Sequence, residues 1–135
     1  MSRSDILDKL QRYGIRPTPQ RLKIAEILLA RPQHLSAEQI LDQLRQSGAA
    51  VSKATVYNTL NLFRECGLVK ELSIDPERCY YDSSNVPHHH LYNVDTCELT
   101  DIDEDEICFS ALPRLPDGTE RESVEVLIKV RRRQD

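Results

Sequence analysis

Three consecutive histidines, His88, His89 and His90, form the densest group of metal-ligating side chains in the chain. On a β-strand, alternation sends His88 and His90 to one face and His89 to the other, so the H-x-H pair can grip one metal ion. Asp82 lies just before the triplet, Asp101 a short way after it, and His34 is the fourth histidine. Three imidazoles and two carboxylates suit Mn2+, Fe2+ or Zn2+ in a five-coordinate site. Each residue alone also has a plain structural reading: a solvated aspartate, a histidine preceding a helix, an exposed histidine patch. The same donors with an open coordination position describe a metal hydrolase, although no general base stands beside them in the sequence. Cys66, Cys79, Cys97 and Cys108 include no C-x-x-C pair. They read as small buried side chains rather than a zinc ribbon or redox motif.

Helix start and stop signals parse the first part of the chain. Residues 5–13 form a helix opened by Ser4 and closed by Gly14. Thr18-Pro19 is an N-cap followed by proline at the first helical position, and the helix it opens carries Leu22, Ala25, Ile27, Leu28 and Leu29 before Arg31-Pro32 stops it. Ser36–Gln39 fits a capping box, with Ile40, Leu41 and Leu44 at helical spacing up to Gly48. Ser52 opens a fourth helix over 53–66, and Gly67 ends it. Strands over 68–74 and 78–82 flank Asp75-Pro76-Glu77 as a hairpin. Three helices, a fourth able to enter a DNA groove and a hairpin wing make a winged helix-turn-helix.

Ser83–Pro87 is a short polar stretch. The predicted fold class is α+β: a winged-helix DNA-binding domain over 1–83, a linker over 84–87, and a small α/β dimerisation and metal-sensing domain over 88–135. Strands are predicted over 88–94, 98–102 and 123–131, with a helix over 105–112. Under 50 residues, this second part is too small to be comfortable alone, which argues for a homodimer, with larger oligomers left open. The net charge of −4 divides unevenly: residues 1–86 carry +2 and residues 87–135 carry −6. That split suits a DNA-facing first part and a second part kept away from phosphates. No apolar run approaches the ~20 residues that span a bilayer. The N-terminal stretch mixes charged and apolar residues unlike a signal peptide, so the expected location is cytoplasmic.

Val56, Leu60 and Phe63 recur at helical spacing on the buried side of the fourth helix, leaving Lys53, Tyr57, Asn58, Asn61 and Arg64 elsewhere. Asn58 can pair with adenine and the Tyr57 ring can pack on a thymine methyl. Ser52, Lys53 and Thr55, at the positive helix N-terminus, would meet phosphates. A merely solvated polar face is the other reading of the same pattern.

The runs Gly14–Arg21 (GIRPTPQR), His34–Glu38 (HLSAE), Ser52–Leu60 (SKATVYNTL) and Glu65–Lys70 (ECGLVK) resemble the ferric uptake regulator (Fur) superfamily over nearly the whole chain. The resemblance implies a regulatory metal site of His34, Asp82, His88, His90 and Asp101, binding one Fe2+, Mn2+ or Zn2+ per chain. It also implies a dimer on a palindromic double-stranded DNA operator, with Tyr57 and Asn58 at the major groove and Arg16 near the minor groove. Many members hold a structural zinc with two C-x-x-C pairs; here Asn93 and Thr96 stand at the first pair and the second is missing. The His triplet, the stretch Glu98–Ile102 and the Arg131-Arg132-Arg133 tail look most like the iron response regulator (Irr) branch. That branch associates its histidine-rich segment with haem, so His88, His89 and His90 are candidate haem ligands, although no Cys-Pro motif accompanies them. Asn58 and Asp101 also resemble the peroxide-regulator (PerR) branch, in which peroxide reacting at bound Fe2+ oxidises a ligand histidine.

Overall fold

The computed structural model describes residues 2–75, 77–84 and 88–134. Helix and sheet are combined as α+β, and the chain divides into two compact units, Met1–Asn85 and Val86–Asp135. Residues 85–87 of the expected linker and Pro76 of the expected hairpin turn lie outside the described residues.

The first unit runs α1 (Arg3–Arg12), α2 (Pro19–Leu28), β1 (His34–Ser36), α3 (Ala37–Gln46), α4 (Lys53–Glu65), β2 (Lys70–Asp75) and β3 (Arg78–Asp82). Helix α1 starts earlier than the sequence pattern placed it, because Ser2 rather than Ser4 is the cap. The Ser2 Oγ accepts from Asp5 N at 3.2 Å and the Asp5 carboxylate accepts from Ser2 N at 3.2 Å. The Ser2 hydroxyl, then its backbone N–H, hold the Asp5 carboxyl below its ordinary range. Thr18 caps α2 as expected, accepting from Arg21 N, with Pro19 supplying a preset φ.

Both arms of the Ser36 capping box are present: Gln39 N donates to Ser36 Oγ at 3.1 Å and Ser36 N donates to Gln39 Oε1 at 2.9 Å. Ser36→Ala removes one arm and is expected to lower unfolding stability by about 1 kcal/mol. A urea titration with an unmoved midpoint would show the box idle.

Ile24, Leu28, Ile40, Leu44, Val56, Leu60 and Phe63 form the buried centre of this unit, where α2, α3 and α4 meet. Gly67, at φ +82°, turns the chain out of α4 and lets Leu68 N–H return to the Phe63 carbonyl at 2.8 Å. The hairpin is part of a three-stranded antiparallel sheet of order β1-β3-β2. Strand β1 is an element the sequence pattern lacked; its three residues are too few to show alternation.

The second unit contains β4 (His89–Asn93), β5 (Glu98–Ile102), a 3-10 turn (Glu104–Glu106) and β6 (Leu127–Val130). The sheet order is β5-β4-β6, antiparallel between β4 and β5 and parallel between β4 and β6. At the β4–β5 turn the Asn93 Oδ1 accepts the N–H groups of Asp95 and Thr96 at 2.9 and 3.2 Å.

Two expectations are corrected here. The helix predicted over 105–112 is absent beyond the short 3-10 turn. Carboxylates in a first turn favour a helix, so the cause lies in packing: Phe109 and Leu112 remain 44% and 39% exposed, and a short helix without a packed apolar face is not stable. Of the strand predicted over 123–131 only Leu127–Val130 forms β6, in register with His90–Asn93 of β4. Among the described residues no helix is long and apolar enough to cross a membrane.

Candidate functional site

In the first unit the sheet brings together two predicted ligands that are far apart in sequence. His34 on β1 is the direct cross-strand partner of Asp82 on β3, which places both side chains on one face with Cβ atoms about 4.5–5.5 Å apart. Lys70 flanks Asp82 on the opposite strand. Asp82 is buried, and one carboxylate oxygen accepts the Ser84 N–H at 2.8 Å, which fixes the carboxylate plane.

Two residues that the sequence pattern did not single out brace this pair. Ser83 N donates to the Gln33 carbonyl at 3.0 Å, and Gln33 N donates to Ser83 Oγ at 3.2 Å. The Gln33 Nε2 also donates to the Ile27 carbonyl at 2.7 Å, so β1 is tied to the last turn of α2. No motif flags an isolated Gln or Ser; the signal was only their position beside His34 and Asp82.

In the second unit His88, His90 and Asp101 converge. His90 is the cross-strand partner of Asp101. The Asp101 Oδ1 lies 3.1 Å from His88 Nε2 and 3.6 Å from His90 Nε2, and both nitrogens are buried. The two rings stand edge to face, with centroids 4.4 Å apart. Metal–nitrogen bonds of about 2.0–2.1 Å put neighbouring ligand atoms of one ion roughly 3 Å apart. The donor atoms therefore fit a shared divalent ion with little movement. His89 points elsewhere, and its Nδ1 accepts the Val126 N–H at 2.9 Å. That nitrogen is not open to haem iron.

Helix α4 presents the expected polar face. Ser52, Lys53, Tyr57, Asn58, Asn61 and Arg64 are exposed and Thr55 is half-buried, whereas Val56, Thr59, Leu60 and Phe63 are buried. Ser52 caps the helix by accepting from Thr55 N. The Lys53 Nζ is 3.4 Å from Glu38 and 5.9 Å from the Tyr57 ring centroid. Such an exposed pair is weak. Arg16 is exposed just before α2.

Arg64, in the last turn of α4, is bound to the wing: its Nη1 donates to Glu71 Oε2 at 3.0 Å, while Cys79 Sγ donates to Glu71 Oε1 at 2.9 Å. Burial, then the hydrogen bond to Glu71, pushes the Cys79 thiol from 9.0 up to about 12. Burial likewise pushes the Tyr81 hydroxyl up, followed by its neighbours Cys79 and Glu71. None of the four free cysteines is fully buried, contrary to the expectation for small core residues, and Cys108 is exposed. At pH 8 Cys79 is expected to react with a thiol reagent far more slowly than Cys108, since the thiolate is the nucleophile. Because the folded pKa is raised, the stability it contributes is full below about pH 9 and lost towards pH 12. Equal labelling of both cysteines, followed by peptide mass spectrometry, would contradict this.

Residues 12–124 match the ferric uptake regulator family. The chain belongs to that family. The peroxide-responsive repressor PerR of Staphylococcus saprophyticus is 36% identical over 87 residues, covering 64% of this chain and 59% of the relative. The peroxide operon regulator of Bacillus subtilis is 40% identical over 86 residues, with the same coverage of 64% and 59%. The chain thus matches these curated relatives over about 59% of their length. The structure of the ferric uptake regulator from Pseudomonas aeruginosa with manganese superposes with a TM-score of 0.72 at 26% identity, covering 95% of this chain and 98% of that one. Ferric uptake regulator family members are transcriptional regulators, which sets the hydrolase alternative aside.

Proposed function

We propose that this chain is a metal-responsive transcription regulator that binds double-stranded DNA as a homodimer. The observation that carries the reading is the convergence of His88 and His90 on one Asp101 oxygen, alongside the His34–Asp82 pair in register on the other unit's sheet. The five donors are of a number and kind that suit one Fe2+, Mn2+ or Zn2+, and the relative whose structure is described with manganese supports that class of ion. Loading the ion is expected to change operator affinity.

Tyr57 and Asn58 read base edges, while Ser52, Lys53, Thr55 and Arg16 hold the backbone. Homodimerisation through the second unit is supported by the large apolar side chains it leaves exposed: Phe109, Leu112, Leu115, Leu127 and Ile128. Asn93 organises the β4–β5 turn through its own side chain where many members carry the first C-x-x-C cysteine, which supports a unit that holds together without that zinc.

Metal stoichiometry tests the site. Titration with Mn2+ is expected to give one ion per chain, with affinity lost in both His34→Ala and Asp101→Ala. Full affinity retained in His34→Ala would sever the first unit from the site.

The finer reading is an iron-responsive, Irr-like regulator acting on iron homeostasis genes. A second reading, peroxide sensing, is favoured by the names of the two relatives above. Mass spectrometry of the Fe2+-loaded protein after peroxide separates them: only the peroxide sensor gains an oxygen atom on His34, His88 or His90.

A further inference from the structure

The proposed site uses two of three consecutive histidines, and the structure gives the third a different occupation. His89 is 3% exposed and lies on the opposite face of β4 from His90. Its Nδ1 accepts the Val126 N–H at 2.9 Å, and the neighbouring His90 N–H donates to the Val126 carbonyl at 3.0 Å. Adjacent residues of β4 therefore hold both backbone polar groups of Val126, one through a ring nitrogen and one through the main chain. Val126 stands one residue before β6, whose ladder begins with Leu127 opposite His90. The imidazole takes the place of a backbone carbonyl at the head of that ladder.

We propose that His89 is a positioning residue rather than a ligand: it latches the start of β6 onto β4 and so fixes the strand that carries His90 and that His88 directly precedes. An Nδ1 that accepts a hydrogen bond carries no proton, so the ring is held as the Nε2–H tautomer. The Phe109 ring stands edge to face with the same imidazole, the centroids 6.1 Å apart. Metal ligands gain affinity from groups that hold them in place, and loss of such a group costs about 10–100-fold. The β6 latch supplies this from behind the strand. The part of the proposal that concerns metal affinity rests on the metal-binding reading above; the latch itself does not.

The test uses the full chain with His89→Leu, which removes the acceptor, and His89→Asn, whose Oδ1 falls near the position of Nδ1. Amide hydrogen exchange at Val126 and Mn2+ affinity are measured for each. Expected for His89→Leu are exchange at Val126 faster by about tenfold or more and Mn2+ binding weaker by about tenfold, both largely restored in His89→Asn. Unchanged Val126 exchange in His89→Leu overturns the latch, and so does an asparagine variant no better than leucine. Faster exchange with unchanged Mn2+ affinity overturns the positioning role. If the unsubstituted chain takes up no Mn2+, the metal reading fails, while Val126 exchange still decides the latch. Should His89→Leu not fold, His89→Gln, whose acceptor reaches the Nε2 position instead, gives the same contrast with asparagine.

Discussion

Phe63→Ala is expected to destabilise the first unit by about 3–5 kcal/mol, the cost of emptying a large aromatic site in a closed core. Phe63 has no exposed surface and belongs to the cluster that joins α4 to α2 and α3. Its carbonyl also accepts the Leu68 N–H that starts the chain towards the wing. Small domains hold together with about 5–15 kcal/mol, so the loss is a large share of the total. Thermal unfolding followed by circular dichroism should show the first transition shifted down by many degrees, and DNA binding lost at temperatures where the unsubstituted protein is folded. A shift of the size usual for surface substitutions would mean that α4 is held by something other than this core.

Asn58→Ala is the second large expected effect, on the proposed recognition of DNA rather than on folding. The side chain is exposed on α4, beside Tyr57 and away from the buried stripe of Val56, Leu60 and Phe63. A bidentate contact to a base is worth about 1–3 kcal/mol of discrimination, or roughly 5- to 150-fold in affinity for the correct sequence. Stability should stay within about 0.5 kcal/mol, as for most exposed positions. Lys53→Ala serves as the contrast: it should weaken all sequences alike and lower the salt dependence by about one phosphate contact. Binding measured on an operator selected from random duplexes, and on that operator altered at single positions, distinguishes the two. Loss spread evenly over all sequences in Asn58→Ala would make Asn58 a backbone contact instead.

What was legible in the sequence was local. Thr18-Pro19, the Ser36–Gln39 box and Ser52 with Gly67 each act within a few residues, so their types and spacing announce the helices they start and stop. The buried stripe of α4 was legible for the same reason, although Thr59, polar by type, belongs to it as well. Pairing across long sequence separations was not. His34 and Asp82 meet only because β1, three residues long, adds to the wing hairpin, and nothing within those three residues announces a strand. Val124, Val126, Ile128 and Val130 alternate perfectly, yet the ladder with β4 begins only at Leu127.

The candidate site follows the same division. The H-x-H spacing predicted that His88 and His90 share a face, and they do. That Asp101 would stand opposite His90 depends on the register of β5, which local spacing leaves open. Gln33, Ser83 and His89 were invisible as supports because a bracing residue needs only a donor or acceptor in the right place, and many residue types provide one.

Metal bound by the proposed ligands His34, Asp82, His88, His90 and Asp101 is expected to set affinity for DNA. The most direct test is operator binding by fluorescence anisotropy at one fixed salt concentration, comparing metal-free protein with protein loaded with Mn2+ or Fe2+. Loading is predicted to change affinity by about tenfold or more, equivalent to roughly 1.4 kcal/mol of coupling, and Asp101→Ala is predicted to abolish the change. Equal affinity of the metal-free and loaded forms for the selected operator would contradict the account.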